Sequence, residues 1–217
     1  MAPVKHFSAI IFDMDGVLVD SEPVHDCAWQ ALFAELNLAH NHGIVFADYI
    51  GRSDRVLLRD LIARHQLTHS IDDLIQRKLH HLLKLLRAHR IEFRELHDLL
   101  PALAKHYKLG IATSAPRIAI DVVMEVTGLR PHFQAIVGRE DVQHAKPQPE
   151  VYLTAAARLG ISPADCCAIE DTPVGIEAAK AAGMTVIGLT TSLPAAKLDR
   201  ADHIAHHHIE LQQFFLA

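Results

Sequence analysis

Two aspartates one residue apart, Asp13 and Asp15, close an apolar run and precede Gly16. Thr113 and Ser114 close a second run, and Glu170 and Asp171 close a third, followed by Thr172-Pro173-Val174-Gly175. Lys146 stands before Pro147 in HAKPQPE. If these segments meet at one place, three or four carboxylates crowd together and repel, and a cation must relieve them. Short carboxylates offer only oxygen, which suits a hard ion, Mg²⁺ before others. Residues 13 and 15 share a side of the backbone provided the chain stays extended.

The elements that must position these residues are legible as runs and stripes. Residues 7–13, FSAIIFD, read as a buried strand ending in an acid. Comparable short runs recur at Leu109–Thr113, Ala135–Val137, Cys166–Ile169 and Thr185–Leu189. Between them lie helical stripes: Ile118, Val122, Val123 and Val126; Tyr152, Ala155, Ala156 and Leu159; Val174, Ala178 and Ala181. Alternating strands and helices predict an α/β fold, a Rossmann-like parallel sheet with helices on both faces. Ligands of such a sheet bind at the carboxyl ends of its strands, which is where the polar residues above fall. Residues 23–92 differ. Trp29, Leu32, Phe33 and Leu36 form one stripe, Leu57, Leu58, Leu61 and Ile62 a second. Ile71, Leu74, Ile75, Leu79, Leu82, Leu83 and Leu86 form a long third. The expected organisation is a core of residues 1–16 and 93–217 with an α-helical module, 17–92, inserted after the first strand.

The order F-D-x-D-G-V-L, T-S, K-P and E-D resembles the haloacid dehalogenase superfamily, and FDMDGVLVDSE is a specific form of its first motif. The subgroup it resembles holds phosphatases and β-phosphoglucomutase-like enzymes with a helical cap. The resemblance implies roles. Asp13 would be the nucleophile that forms an aspartyl phosphate. Asp15 would protonate the leaving group and later deprotonate water. Thr113 and the Ser114 N–H would hold phosphate oxygens, and Lys146 would neutralise the transferring group. Mg²⁺ would be held by the Asp13 carboxylate, the Asp15 carbonyl and Asp171, with Glu170 a water-mediated ligand or an orienting group. The Lys146–Pro147 bond is expected cis. The acid at position 15 sets the chain apart from the dehalogenase branch, where a halide leaves without a proton.

In the cap, Glu22, His25, Arg52 and Arg55 are the candidate substrate contacts. Gly51 opens GRSDR, which resembles the cap substrate loop. The mutase branch carries an arginine three residues after that glycine to hold a distal phosphate; here the position is Asp54. A second departure is Arg94-Glu95, where many relatives have Pro-Gly. The implied function is a Mg²⁺-dependent phosphatase acting on a small phosphorylated metabolite, a sugar phosphate or phosphoglycolate. A phosphomutase is the alternative enzyme, and a catalytically silent phosphate-ligand-binding relative the alternative outside enzymology.

Composition bounds the other possibilities. Over 217 residues, 50% are hydrophobic and 22% charged, enough for a buried core. Lys plus Arg number 21 against 26 Asp plus Glu, a net charge of −5, so nothing general draws the chain to nucleic acid or anionic membrane. No apolar run approaches a membrane span of about 20 residues. Cys27, Cys166 and Cys167 suit a reducing cytoplasm. The 17 histidines show no zinc-site spacing and read as surface residues. No feature demands more than a monomer.

Overall fold

The computed structural model describes residues 7–49 and 53–216. Six strands among them form one parallel sheet: β1 Ala9–Phe12, β2 Lys108–Ala112, β3 Ala135–Val137, β4 Cys166–Glu170, β5 Thr185–Leu189 and β6 His203–Ala205. Their order is β3-β2-β1-β4-β5-β6. β1 is therefore central, with β2 and β4 on its two sides. Phe12 pairs in register with Ile111 and with Ile169, so the residues that follow these three strands come off the same edge together. The strand order reverses beside β1, which opens a crevice at the carboxyl ends. β1 is buried throughout, as a strand covered on both faces must be.

Four helices join these strands: α4 Leu96–Leu103, α5 Arg117–Thr127, α6 Glu150–Leu159 and α7 Pro173–Ala181. A fifth, α8 His208–Leu216, follows β6. The α6 stripe Tyr152, Ala155, Ala156 and Leu159 is buried as expected. Two other stripes need correction. On α5, Val122 and Val123 are buried as expected, but Ile118 and Val126 are 52% and 38% exposed, and the buried face runs on through Ala119, Ile120, Met124 and Thr127. On α7, Ala181 is exposed and the buried face is Gly175, Ile176, Ala178, Ala179 and Ala182. In both helices small and apolar residues fall on neighbouring rows, and the buried face takes members of each.

The chain divides into two compact units. One contains the sheet and runs through Asp20 and again from Ile91; the other is Ser21–Arg90. The expected boundaries at 16/17 and 92/93 thus move. Val17, Leu18 and Val19 are buried in the sheet unit, and Val19 bridges both Asp15 and Glu92. The second unit holds α1 Glu22–Glu35, α2 Asp54–His65 and α3 Ile71–Ala88. Its core is Trp29, Leu32, Phe33, Leu57, Leu58, Leu61 and Leu74, close to the three predicted stripes. Ser53 and Ser70 cap α2 and α3 by accepting from Arg55 N and Asp73 N. None of the described helices is long and apolar enough to cross a membrane.

Candidate active site

β1 ends at Phe12, and Asp13 follows with its N–H donating to Ile169 O on β4. The chain then turns at once. Met14 O accepts from Val17 N, Leu18 N and Val19 N, and Gly16 N donates to Val19 O. Asp13 and Asp15 therefore flank the start of a turn and do not share one extended strand. Gly16 takes φ +75°, and a Cβ there would lie 1.9 Å from Asp171 Oδ2, so the turn presses against the second acid pair. Thr191 donates through Oγ1 to Gly16 O and closes the turn from the β5 side.

Four charged side chains meet at this edge. Lys146 Nζ lies 3.0 Å from Asp13 Oδ1 and 2.6 Å from Glu170 Oε1. Asp13, Glu170 and Asp171 each offer an oxygen within 4.8 Å of the others. All four are buried. Burial, then Glu170 and Asp15, push the Asp13 carboxyl up to about 7 against the opposing pull of Lys146. Asp171 is raised well above the usual carboxylate range by burial and by the charges of Glu170 and Asp13. Burial disfavours the Lys146 charge, yet Asp13 and Glu170 outweigh it and hold the ammonium above its ordinary value.

The two acids of the E-D pair are not equivalent. Glu170 Oε1 accepts from Lys146 and from Tyr152 OH at 2.7 Å. Its Oε2 accepts from Asp171 N, Thr172 N and Thr172 Oγ1 at 3.1–3.2 Å. The carboxylate also fills the space over Gly175, where a Cβ would fall 1.7 Å from Oε1. Asp171 Oδ1, by contrast, is buried with no hydrogen-bond partner, and Asp13 Oδ1 has only a poorly aligned ion pair. Buried carboxylates that are destabilised by one another and keep unsatisfied oxygens are what a divalent cation would relieve. The donor set fits Mg²⁺ through Asp13 and Asp171, while the oxygens of Glu170 are already committed.

Of the other expected residues, Thr113 is buried at the end of β2 with Oγ1 accepting from Ala115 N, and Ser114 is exposed beside it. The Lys146–Pro147 bond is cis. In the helical unit, Glu22 and His25 lie on α1, and Arg55, on α2, pairs with Asp72. Arg52 and Gly51 lie outside the described residues. Three further residues carry no motif in the sequence. Tyr152 reads there only as a core position of the α6 stripe. Ser192 hydrogen-bonds Asp171 from a segment without a motif. Lys78 is 3% exposed on α3, where its Nζ contacts His25 Nδ1 at 2.8 Å and Asp54 Oδ2 at 3.0 Å and sits 5.1 Å from the Trp29 ring. Its signal was the row Leu74, Lys78, Leu82, Leu86, a lysine inside an apolar i, i+4 series.

The family model of haloacid dehalogenase-like hydrolases matches residues 10–189, from β1 to the end of β5. Hexitol phosphatase B of Escherichia coli (strain K12) is 34% identical over 198 residues, covering 86% of this chain and 85% of that protein. β-Phosphoglucomutase of Bacillus subtilis (strain 168) is 30% identical over 204 residues, covering 88% and 87%. A family IA, variant 3 hydrolase of Entamoeba histolytica shares the fold with a TM-score of 0.83 at 23% identity, covering 97% of this chain and 100% of that one. The matched span carries β1, β2 and β4, whose ends bring the acids and hydroxyls to one edge, and Lys146 between them. On the family model and on these two relatives, the chain belongs to the haloacid dehalogenase-like hydrolases.

Proposed function

We propose that the protein is a Mg²⁺-dependent phosphatase that hydrolyses a small sugar-type phosphate monoester through a phosphoaspartate on Asp13. The observation that carries the reading is the buried contact of Asp13 with Lys146 beside an Asp171 whose Oδ1 lacks a partner. Ionised Asp13 attacks phosphorus, and the bond to the leaving oxygen breaks as Asp15 gives that oxygen its proton. Asp15 then takes a proton from water, which attacks the phosphoaspartate and releases inorganic phosphate and Asp13. Lys146 lies against charge on the transferring group, and Thr113 with the Ser114 N–H holds its oxygens. The cation would be held by Asp13, Asp171 and the Asp15 carbonyl. When bound, it supplies positive charge that favours ionised Asp13 and the phosphoryl oxygens. Glu170 is assigned to orienting Lys146 and the loop after β4.

The helical unit is assigned the choice of leaving group, with Glu22, His25, Arg52 and Arg55 as candidate contacts. Two kinds of relative support a carbohydrate or polyol phosphate: a hexitol phosphatase and a β-phosphoglucomutase. The second keeps the mutase reading in view. Asp54 speaks against it, since the position offers a carboxylate that accepts from Lys78 where a distal phosphate would need a cation.

A panel of sugar, hexitol and glycolate phosphates, with Mg²⁺ and with chelator, tests the reading. Phosphate release that requires Mg²⁺ is expected. Conversion of β-glucose 1-phosphate to the 6-phosphate without net phosphate release would establish the mutase instead. An inert panel would leave only a ligand-binding role.

A further inference from the structure

We propose that Tyr152 is a positioning residue of this site. Its phenol holds Glu170 and thereby sets how the Lys146 ammonium is shared between Glu170 and Asp13. The inference rests on the phosphatase reading only for the assignment of Lys146 to the transferring group; the contacts themselves are independent of it.

Tyr152 is fully buried on the first turn of α6, six residues after Lys146. A buried tyrosine needs a partner for its hydroxyl, and this one donates to Glu170 Oε1 at 2.7 Å. Lys146 reaches the same oxygen at 2.6 Å, donates over a longer 3.4 Å to the Tyr152 hydroxyl itself, and its ammonium lies 5.0 Å from the Tyr152 ring. One carboxylate oxygen thus has two donors, one neutral and one charged. Lys146 also faces Asp13 at 3.0 Å. Glu170 cannot turn away, because Asp171 N, Thr172 N and Thr172 Oγ1 hold Oε2 and Gly175 lies beneath.

Removing only the hydroxyl leaves Oε1 with Lys146 as its sole donor and takes from Lys146 its longer contact with that hydroxyl. The buried carboxylate then draws the ammonium closer and away from Asp13 and the phosphoryl group. Tyr152 therefore acts through Lys146, without touching substrate.

Tyr152→Phe keeps the ring and its packing. The expected results are about a tenfold fall in kcat, the size of one hydrogen bond to a charged acceptor, and a weaker Kd for inorganic phosphate at unchanged stoichiometry by calorimetry. A packing defect would lower the stoichiometry and leave Kd alone. The ¹⁵N signal of the Lys146 ammonium, assigned by its loss in Lys146→Met, should shift. In a Glu170→Gln background, which removes the charged acceptor and leaves only the longer Lys146–hydroxyl contact, the further effect of Tyr152→Phe should be clearly smaller than in the parent. Should Tyr152→Phe fail to fold, fluorotyrosine in place of the 3 tyrosines keeps the hydroxyl and strengthens it as a donor. The Lys146 signal must then move. An unmoved Lys146 signal with unchanged phosphate Kd, or losses that multiply independently with Glu170→Gln, would overturn the proposal. If the unmodified protein releases no phosphate from any ester, the phosphatase reading fails, and the Lys146 signal still decides the role of Tyr152.

Discussion

In the proposed mechanism Asp13 is ionised and Asp15 protonated when attack begins, and the site without a cation works against this, since burial with Glu170 and Asp15 lifts Asp13 to about 7 even against Lys146. Lys146 already opposes that rise, and a cation on Asp13 would complete the reversal. Asp15, which in the proposed site would meet the cation only through its carbonyl, would gain less and so could keep a proton. Asp15→Asn should therefore spare attack and remove leaving-group protonation. With sugar phosphates the loss should exceed about 10³-fold. With p-nitrophenyl phosphate, whose leaving group needs no proton, it should be far milder, and phosphoaspartate should accumulate on rapid quench. Equal losses on both esters with no trapped phosphoenzyme would remove Asp15 from the acid–base role. Gly175 carries a different kind of constraint. A methyl group there would lie 1.7 Å from Glu170 Oε1, so Gly175→Ala must displace a carboxylate that accepts five hydrogen bonds. We expect a fall of about 10²-fold or more in kcat/KM together with about 2–4 kcal/mol of stability, measured by initial rates and denaturant titration. Unchanged rates would show that Glu170 need not stay where it is. The acids and the glycine are visible in the sequence because each stands at or just after the end of a strand or in the first turn of a helix, and Lys146 because it precedes Pro147 in the loop before α6. The division between Glu170 and Asp171 is not, because it depends on which oxygens Tyr152, Thr172 and Ser192 reach.

At the scale of elements, α8 has a part that no motif announced. His208, its first residue, is buried, with Nε2 2.7 Å from Val17 O and its ring 4.6 Å from Phe93. Val17 and Phe93 lie on the two stretches by which the chain leaves and rejoins the sheet unit, and Asp20 N donates to Ile91 O beside them. One histidine thus ties both stretches. Burial pushes its pKa down, with His207 acting in the same direction and Val17 O and Glu95 opposing, so the ring is neutral at pH 7. His208→Phe keeps an aromatic ring against Phe93 and removes the side-chain partner of the Val17 carbonyl. We expect a loss of about 1–3 kcal/mol and faster amide exchange across residues 16–20, read by mass spectrometry. Protection equal to the parent would mean that the Val17 turn holds without the histidine. Periodicity found the strands at 135–137 and 185–189 outright, because a covered parallel strand is a continuous apolar run. It missed β6, since His203-Ile204-Ala205 is three residues at a sheet edge with His203 exposed. Nor does periodicity single out Lys78, because one charged member does not interrupt the apolar row Leu74, Leu82 and Leu86.

For the molecule as a whole, the acid cluster should make stability depend on pH and, where the proposed cation binds, on the cation as well. A carboxyl whose folded pKa is raised binds its proton more tightly in the fold than in the unfolded chain. Its fold therefore loses stability as pH climbs from the unfolded value, 3.8, through the folded one. For Asp13 that window runs from 3.8 to about 7, and Asp171, raised by the same burial and repulsion, adds in the same direction. Lys146 does not cancel this, because its pKa is raised too and it titrates far above the window. In chelator the melting temperature should consequently fall between pH 5 and pH 7.5. A cation that binds the ionised cluster reverses the loss, and does so only where the carboxyls would otherwise ionise. Mg²⁺ at about 100 times its Kd adds about 2.7 kcal/mol, or about 5–10 °C for a chain of this length. The Mg²⁺-induced rise should be near that size at pH 7.5 and much smaller at pH 5. Asp171→Asn separates this from any general effect of salt. It removes one of the repelling charges, so the chelated protein should melt higher at pH 7.5 than the parent, and the Mg²⁺ increment should shrink. The readout is thermal unfolding and needs no substrate. Melting curves in Mg²⁺ and in chelator that coincide at pH 7.5 would mean that Asp13 and Asp171 hold no cation, whatever the activity assays show.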